Sequence, residues 1–334
     1  MRRPIPVIIG PTAVGKTDLA LALARACNAE IIGGDSRQIY RHLDIGTAKP
    51  SPAQRQAVPH HLVDIVEPDA TLNAARYARL AWGCIRSVEA SGKRPLVVGG
   101  SGLYLRALTD SLFAGPGADP PLREGLEAEA QSHGLQALHD RLAAVDPAAA
   151  RRIHPHDRVR IIRALEIYTL TGQPISQWQR QWQNPATRRR FLLIGLRRER
   201  EDLRQRIAAR TEAMLRLGLE DEVRTLLAMG YPSTLPTLQS VGYGEIVAHL
   251  EGKWDLTTAK TLIERHTGRL AKRQMTWFRR LADMHWISLT DMPEGAAIQL
   301  IQNLVASARD VSPEVVPDDQ QHDRAEPCTC PVWR

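Results

Sequence analysis

Short apolar runs alternate with helix-like patterns over the first hundred residues. Residues 6–9, 30–32 and 95–98 each have the length of a buried strand, and each run is followed by glycine. Between them, apolar positions repeat with helical spacing from Lys16, and again over 73–90, with Thr71 as the candidate N-cap. Strands that alternate with helices predict an α/β fold with a parallel sheet covered on both faces.

The pattern changes at a proline- and glycine-rich segment, residues 114–121, which is typical of a linker. Helical periodicity follows, and residues 178–184, with two tryptophans, show no convincing period. Two apolar stripes mark the predicted helices, namely Leu135, Leu138 and Leu142, and then Val159, Ile162 and Leu165. Residues 191–196 predict one more buried strand, and 257–281 predict a long helix.

These patterns predict four segments. The α/β core takes residues 1–115 and 191–309, a helical domain is inserted at 116–190, and residues 310–334 form a disordered acidic tail.

Composition narrows the class of protein. With 334 residues, 43% hydrophobic and 24% charged, the chain is typical of a globular protein without membrane-spanning segments. Four cysteines give no disulfide framework, so we expect a reducing cytoplasm, and nothing in the sequence requires a dimer, so we expect a monomer. The net charge of +7 is concentrated in arginine-dense stretches at 151–210 and 265–280. They suit an extended anionic partner such as nucleic acid, although solvated helix faces explain the charge equally well.

A phosphate-binding loop follows the first predicted strand. The motif Gly-x4-Gly-Lys-Thr is formed by Gly10, Pro11, Thr12, Ala13, Val14, Gly15, Lys16 and Thr17. Its glycines let backbone N–H groups converge on phosphate oxygens at the positive end of the next helix. Lys16 supplies a point charge, and the Thr17 hydroxyl is placed to hold Mg²⁺. The motif predicts a substrate with linked phosphates.

The usual acid of a nucleotide-hydrolysing protein is missing. Such proteins have an apolar strand that ends in a magnesium-binding carboxylate, whereas the third strand here runs into residues 98–102, VGGSG. The acid found at a strand end is Asp35, beside the phosphate loop at the carboxyl edge of the sheet. It is a candidate general base or magnesium ligand, and a helix N-cap is the alternative.

Several longer strings occur in a particular order after the phosphate loop. They are residues 35–40 (DSRQIY), 44–50 (DIGTAKP), 60–64 (HHLVD), 99–104 (GGSGLY), 163–166 (RALE), 218–223 (GLEDEV) and 271–277 (AKRQMTW). Together they resemble the bacterial tRNA dimethylallyltransferases, also called isopentenyltransferases, over about residues 5–290.

This resemblance implies a P-loop NTPase-like parallel sheet core with an inserted helical tRNA-binding domain. It also implies transfer of a dimethylallyl group from dimethylallyl diphosphate to N6 of the adenosine beside the third anticodon position, in tRNAs that read codons starting with U. Asp35 then corresponds to the base, and Lys16, the loop amides and Mg²⁺ on Thr17 stabilise the leaving diphosphate. Ser101 stands where the family has threonine and keeps the hydroxyl near the breaking bond. Arg123 corresponds to a basic residue over the active site, and Arg210 to one that contacts the diphosphate.

The resemblance also implies tRNA contacts, which are spread along the chain. They are Asp35, Ser36, Arg37, Gln38, Arg160, Arg163, Gly242, Tyr243, Lys272, Arg273, Gln274 and Arg279. The amides of Gln38 and Gln274 suit paired hydrogen bonds to base edges. Trp277 and Phe278 are more simply core residues. Gly268 stands where the family often has arginine, which predicts a shifted phosphate contact, and His60 and His61 lack the spacing of a metal site.

Two other functions compete with prenyl transfer. A small-molecule or nucleotide kinase would also use a phosphate loop and a bound Mg²⁺, but this function does not explain residues 35–38 and 271–277. A non-catalytic nucleic-acid-binding module explains the charge and leaves the phosphate loop without a role.

Overall fold

The structure is a computed structural model, and it describes residues 4–110, 116–180 and 190–308. The tail predicted at 310–334 and most of the segment 178–184 lie outside the described residues. The described residues fall into two compact units, one made of 4–109 with 190–308 and the other of 110 with 116–180.

The first unit contains a sheet of six strands. In chain order they are β1 (Ile5–Ile9), β2 (Ala29–Gly34), β3 (His60–His61), β4 (Arg94–Gly99), β5 (Phe191–Arg197) and β6 (His285–Ser288). The strand order is β3-β2-β4-β1-β5-β6, and every pairing is parallel. The predicted parallel α/β sheet is therefore confirmed, with β1 at its centre between β4 and β5.

Fourteen helices are described. They are α1 (Lys16–Cys27), α2 (Pro52–Ala57), α3 (Ala74–Ala90), α4 (Gly102–Thr109), α5 (Pro120–His133), α6 (Leu135–Val145), α7 (Pro147–Ala150), α8 (Arg158–Thr171), α9 (Ile175–Arg180), α10 (Arg200–Arg216), α11 (Leu219–Ala228), α12 (Tyr243–Leu250), α13 (Leu256–Phe278) and α14 (Glu294–Ser307). None of the helices in these described ranges is long and apolar enough to span a bilayer.

Both faces of the sheet are buried. Ile8 belongs to a cluster that also contains Leu19 and Leu23 of α1 and Ile301 of α14. Val7 is equally buried and points to the opposite face, because side chains alternate along a strand. Helices α3 and α4 cover that second face, where α3 packs on β2 and β4.

The second unit has a helical core of its own. Leu126, Leu138, Leu142, Ile161 and Leu165 pack together there, and all are buried. This core contains most of the two stripes seen in the sequence.

The structure adds the short strands β3 and β6, which the sequence pattern did not predict, and it differs from the sequence-based expectation at three further places. The cap of α3 is Asn73, not Thr71, because the Asn73 side chain accepts a hydrogen bond from the Arg76 N–H. Val159 is 77% exposed, so it is not part of its predicted stripe. Trp178 lies in α9, where no periodicity was visible, because a six-residue helix is too short to show a period.

Candidate active site

Three loops meet at the carboxyl edge of the sheet. They follow β1, β2 and β4, which are neighbours in the order β2-β4-β1. Gly34 at the end of β2 and Gly99 at the end of β4 face each other, and a Cβ on Gly99 would lie 2.1 Å from the Gly34 carbonyl oxygen. This close approach brings the residues after both strands together, at the position where parallel α/β sheets bind ligands.

The loop between β1 and α1 has the backbone of an anion site. Ala13 and Gly15 both have left-handed φ angles, of 63° and 106°. No side chain caps the start of α1, so the first N–H groups of this helix are available to a ligand. Alternation of right- and left-handed residues forms a concave nest of N–H groups, which suits phosphate oxygens.

Lys16 lies beneath this loop. Its Nζ donates to the carbonyl oxygens of Gly10 at 2.9 Å and Pro11 at 2.8 Å. The pKa of Lys16 is lowered to about 8, mainly because the amine is buried; the neighbouring Arg210 adds to this lowering, and the Asp35 carboxylate opposes it. The charged amine therefore lacks a full counter-charge, which a bound anion would provide.

Three arginines support the outer side of the loop. Arg198 Nε donates to the Val14 carbonyl at 2.9 Å, and Arg206 Nε donates to the Ala13 carbonyl at 3.0 Å. Arg210 Nη1 lies 3.2 Å from the hydroxyl oxygen of Thr12. Arg198 is itself held by Asp202 at 2.7 Å.

Sequence reasoning singled out Arg210 and missed Arg198 and Arg206. A signal was present for Arg206, which lies one helical turn before Arg210 on α10 and so shares its face. Arg198 gave no such signal, because it follows β5 and reaches the loop only through the sheet pairing of β1 with β5.

Asp35 begins a turn directly after β2. Its Oδ1 accepts a hydrogen bond from the Arg37 N–H at 2.8 Å, and turns, not a helix, follow it. The alternative of a helix N-cap is therefore wrong, and the hydrogen bond is that of an Asx turn. Burial lowers the pKa of Arg210, whereas the charge of Asp35 opposes this effect, as it does for Lys16. The negative charge of Asp35 thus favours the charged forms of both Lys16 and Arg210.

Ser101 connects the loops after β2 and β4. Its hydroxyl oxygen accepts from the Ser36 N–H at 2.7 Å and donates to the Ser36 hydroxyl at 2.9 Å. The Ser101 N–H also donates to the Gly34 carbonyl at 3.2 Å. Ser101 therefore holds the turn that carries Asp35, and its predicted action at the breaking bond stays a prediction.

The two amides predicted to read bases are bonded to backbone groups. Gln38 Nε2 donates to the carbonyls of Thr47 and Ala48, at 3.1 and 3.0 Å. Gln274 accepts from the Thr12 N–H at 2.9 Å and donates to the Gly100 carbonyl at 3.0 Å. In this structure both amides organise loops of the site.

Two predicted tRNA contacts lie in the interior. Gly242 is buried, and Tyr243 is 1% exposed, with its hydroxyl donating to Glu222 at 2.5 Å. Glu222 also accepts from the N–H groups of Ile45 and Gly46, at 2.7 and 3.2 Å. Since burial leaves no surface for a direct contact, these residues support the loop around Gly46 instead.

Helix α13 presents a basic surface. Lys272 and Arg273 are exposed on this helix and Arg279 directly after it, while Phe278 is fully buried in agreement with its expected core role. A Cβ on Gly268 would meet nothing within 4 Å, so packing does not require glycine at that position.

Three more of the predicted site residues lie in the second unit. Arg123 and Arg163 both pair with Glu166, through N–O distances of 2.8 and 2.5 Å. Glu166 is fully buried, and although burial opposes its ionisation, hydrogen bonds from both arginines keep its pKa below the ordinary value. Arg160 has a side chain that is 72% exposed, with a looser pair to Asp157 at 3.4 Å. Arg160 is therefore the most accessible of the three cations.

His60 and His61 form β3, at one edge of the sheet. His61 Nε2 lies 2.6 Å from Glu30, which also pairs with Lys93. The described residues contain no cluster of three or more metal-ligating His, Cys, Asp or Glu side chains. His61 thus belongs to an ion-pair network with Glu30 and Lys93 at the edge of the sheet.

A parallel sheet with a phosphate loop after its central strand defines a P-loop-type α/β protein. The chain belongs to the IPP transferase family, whose sequence model matches residues 38–281. This match confirms the resemblance seen in the sequence.

Relatives and solved structures agree with this membership. The chain is 50% identical over 281 residues to a tRNA dimethylallyltransferase of Geobacter metallireducens, covering 84% of this chain and 91% of the relative. It resembles the crystal structure of a tRNA isopentenylpyrophosphate transferase from Bacillus halodurans, with a TM-score of 0.67, 40% identity and coverage of 91% and 96%. A eukaryotic dimethylallyltransferase acting on tRNA gives a TM-score of 0.77, 26% identity and coverage of 93% and 81%.

Proposed function

We propose that this chain is a tRNA dimethylallyltransferase. It transfers the dimethylallyl group of dimethylallyl diphosphate to N6 of the adenosine beside the third anticodon position, in tRNAs that read codons starting with U. The observation that carries this proposal is the pairing of a phosphate loop with Asp35, while β4 ends at Gly99 without a carboxylate. This arrangement suits a diphosphate that leaves, because the acid stands where it can accept a proton.

The nucleophile needs a base. An exocyclic adenine amine is weak because its lone pair is delocalised into the ring. As the C–N bond forms and the C–O bond to the diphosphate breaks, the amine loses a proton to the carboxylate of Asp35. The Asx turn to Arg37 and the bonds from Ser101 to Ser36 hold this carboxylate in place.

The leaving diphosphate carries growing negative charge. Lys16, Arg210 and the N–H groups of the loop are the donors for that charge, and they are positioned before the substrate arrives. Arg198 and Arg206 hold the loop carbonyls outward, so the N–H groups face the ligand.

Mg²⁺ is the proposed cofactor, held by the Thr17 hydroxyl and by diphosphate oxygens. The donor set fits, because Mg²⁺ is often bound by few protein groups together with substrate phosphates. When bound, the ion supplies positive charge for the diphosphate.

The tRNA partner is proposed to lie on the basic surfaces of the two units. Lys272, Arg273 and Arg279 offer phosphate contacts on α13 and directly after it, and Arg160 offers one on α8. Anticodon loops present unstacked bases, so the target adenosine can reach the carboxyl edge of the sheet. We further propose a monomer that acts in the cytoplasm.

A direct test supplies purified protein with unmodified tRNA and radiolabelled dimethylallyl diphosphate, with and without Mg²⁺. Label that enters tRNA only with Mg²⁺ supports the proposal. ATP turnover or phosphoryl transfer without label in tRNA would favour the kinase and refute it.

We expect diphosphate binding to depend on pH through the charge of Lys16. Because burial sets its pKa at about 8, half of the free protein carries a neutral Lys16 at pH 8, and affinity falls as the pH rises further. A bound diphosphate favours the charged amine, so binding at pH 8 takes up about half a proton. Calorimetry in buffers of different ionisation enthalpy measures this uptake. The same uptake in Lys16→Met would contradict the assignment, since diphosphate itself also titrates.

We expect Lys272 to contribute to the salt dependence of tRNA binding. If this exposed lysine contacts a phosphate, Lys272→Met reduces the slope of log affinity against log salt by about one. The matched control is Lys253→Met, at an exposed lysine that pairs with Glu251. A slope unchanged in Lys272→Met shows that this lysine makes no phosphate contact.

A further inference from the structure

The side-chain amide of Gln274 joins two loops that are far apart in sequence. Its oxygen accepts from the N–H of Thr12, 262 positions away, and its nitrogen donates to the carbonyl of Gly100, 174 positions away. Thr12 belongs to the phosphate loop, and Gly100 directly precedes Ser101. Gln274 therefore connects the loop after β1 to the loop after β4.

Glycine makes this contact possible. A Cβ built on Gly100 would lie 2.8 Å from the Gln274 amide nitrogen and 3.6 Å from Lys16 Nζ. A Cβ on Gly102 would lie 2.5 Å from the ring of Trp277, one turn further along α13. Helix α13 thus rests on the site at two positions, and a larger residue at either would displace the Gln274 amide or the Trp277 ring.

Thr12 is held from two sides. Gln274 binds its N–H, and Arg210 binds its hydroxyl at 3.2 Å. An N–H in a partly buried loop is unfavourable without a partner, so loss of the amide would let this part of the loop move. The neighbouring residues lead into the start of α1, whose first N–H groups no side chain caps.

We propose that Gln274 is a positioning residue of the diphosphate site and not a reader of bases. Its amide sets the spacing between the phosphate loop and the segment of Ser101, and hence the place of the diphosphate relative to Asp35. This inference rests on the proposed function, but it concerns the loops themselves and can be measured with inorganic pyrophosphate alone.

The test measures two affinities separately. Gln274→Met keeps the length of the side chain and removes both hydrogen bonds. We expect its affinity for pyrophosphate, without RNA, to fall about tenfold, because the ligand must then order a loop that these two hydrogen bonds hold in the wild-type protein. Its affinity for tRNA, without pyrophosphate, should change less than about twofold. Gln274→Asn has a shorter arm that cannot span both partners, and it should show the same selective loss.

Two matched variants accompany it. Lys272→Met, two residues away on α13, should show the reverse pattern, with weaker tRNA binding and unchanged pyrophosphate binding. Gln299→Met replaces an exposed amide on α14 that bonds to Asn303, and it should change neither affinity.

Other outcomes overturn the inference. A loss of tRNA affinity with unchanged pyrophosphate affinity in Gln274→Met would make this residue a base reader. An equal loss of both affinities with a lower unfolding temperature would assign it to general stability. Wild-type protein that binds pyrophosphate but transfers no prenyl group would refute the proposed function, and the pyrophosphate comparison would still decide the role of Gln274.

Discussion

Asp35→Asn lowers the rate constant of prenyl transfer about a thousandfold, within the range known for loss of a general base. Asparagine keeps the oxygen that accepts the Arg37 N–H, so the turn after β2 survives and only the proton acceptor is lost. Rapid-quench measurement of label in tRNA gives the rate constant. Affinities for tRNA and pyrophosphate, measured in parallel, should stay within a few-fold of wild type.

The control for this variant is Asp140→Asn, which changes an exposed acid bonded to Gln136 in the second unit. It should keep wild-type transfer. If Asp35→Asn retained more than about a tenth of the wild-type rate, the proton would have to go elsewhere.

Lys16→Met lowers kcat/KM for dimethylallyl diphosphate by about a hundred- to a thousandfold. Its amine is the buried cation directly beneath the loop, and the charge it opposes grows as the C–O bond breaks. Because that interaction strengthens in the transition state, kcat should fall more than KM rises. Steady-state kinetics with saturating tRNA separate the two constants.

Lys253→Met removes an exposed lysine outside the site and serves as the comparison. Unchanged kcat in Lys16→Met, with a raised KM alone, would limit Lys16 to binding the ground state. Lys16→Arg keeps the charge, but a planar guanidinium does not reproduce the hydrogen bonds that the ammonium donates to the Gly10 and Pro11 carbonyls, so we expect little rescue.

The parts of the site that are local in sequence were predictable. The phosphate loop needs only contiguous residues with glycine at fixed places, and the neighbouring strand and helix follow from hydrophobic spacing. Asp35 was found because it ends a strand, and parallel strands bring their carboxyl ends to one edge. Its Asx turn was missed, since turn and N-cap use the same residue types.

Long-range contacts were not predictable. Arg198, Gln274 and Glu222 act through backbone groups of loops far from them in the chain. Every residue type carries a backbone carbonyl, and every type except proline carries a backbone N–H. The residue type at a position therefore does not indicate which distant side chain its backbone will bond to. The burial of Tyr243 beside Gly46 has the same origin.

The sequence by itself determined the position of the phosphate loop and four of the six strands, because these depend on short-range backbone geometry and on periodic burial. The tertiary structure alone decided which side chains hold the phosphate loop. It turned Gln274 from a candidate base reader into a link between two loops, because hydrogen bonds to backbone groups form only after the sheet has brought distant segments within about 3 Å of each other.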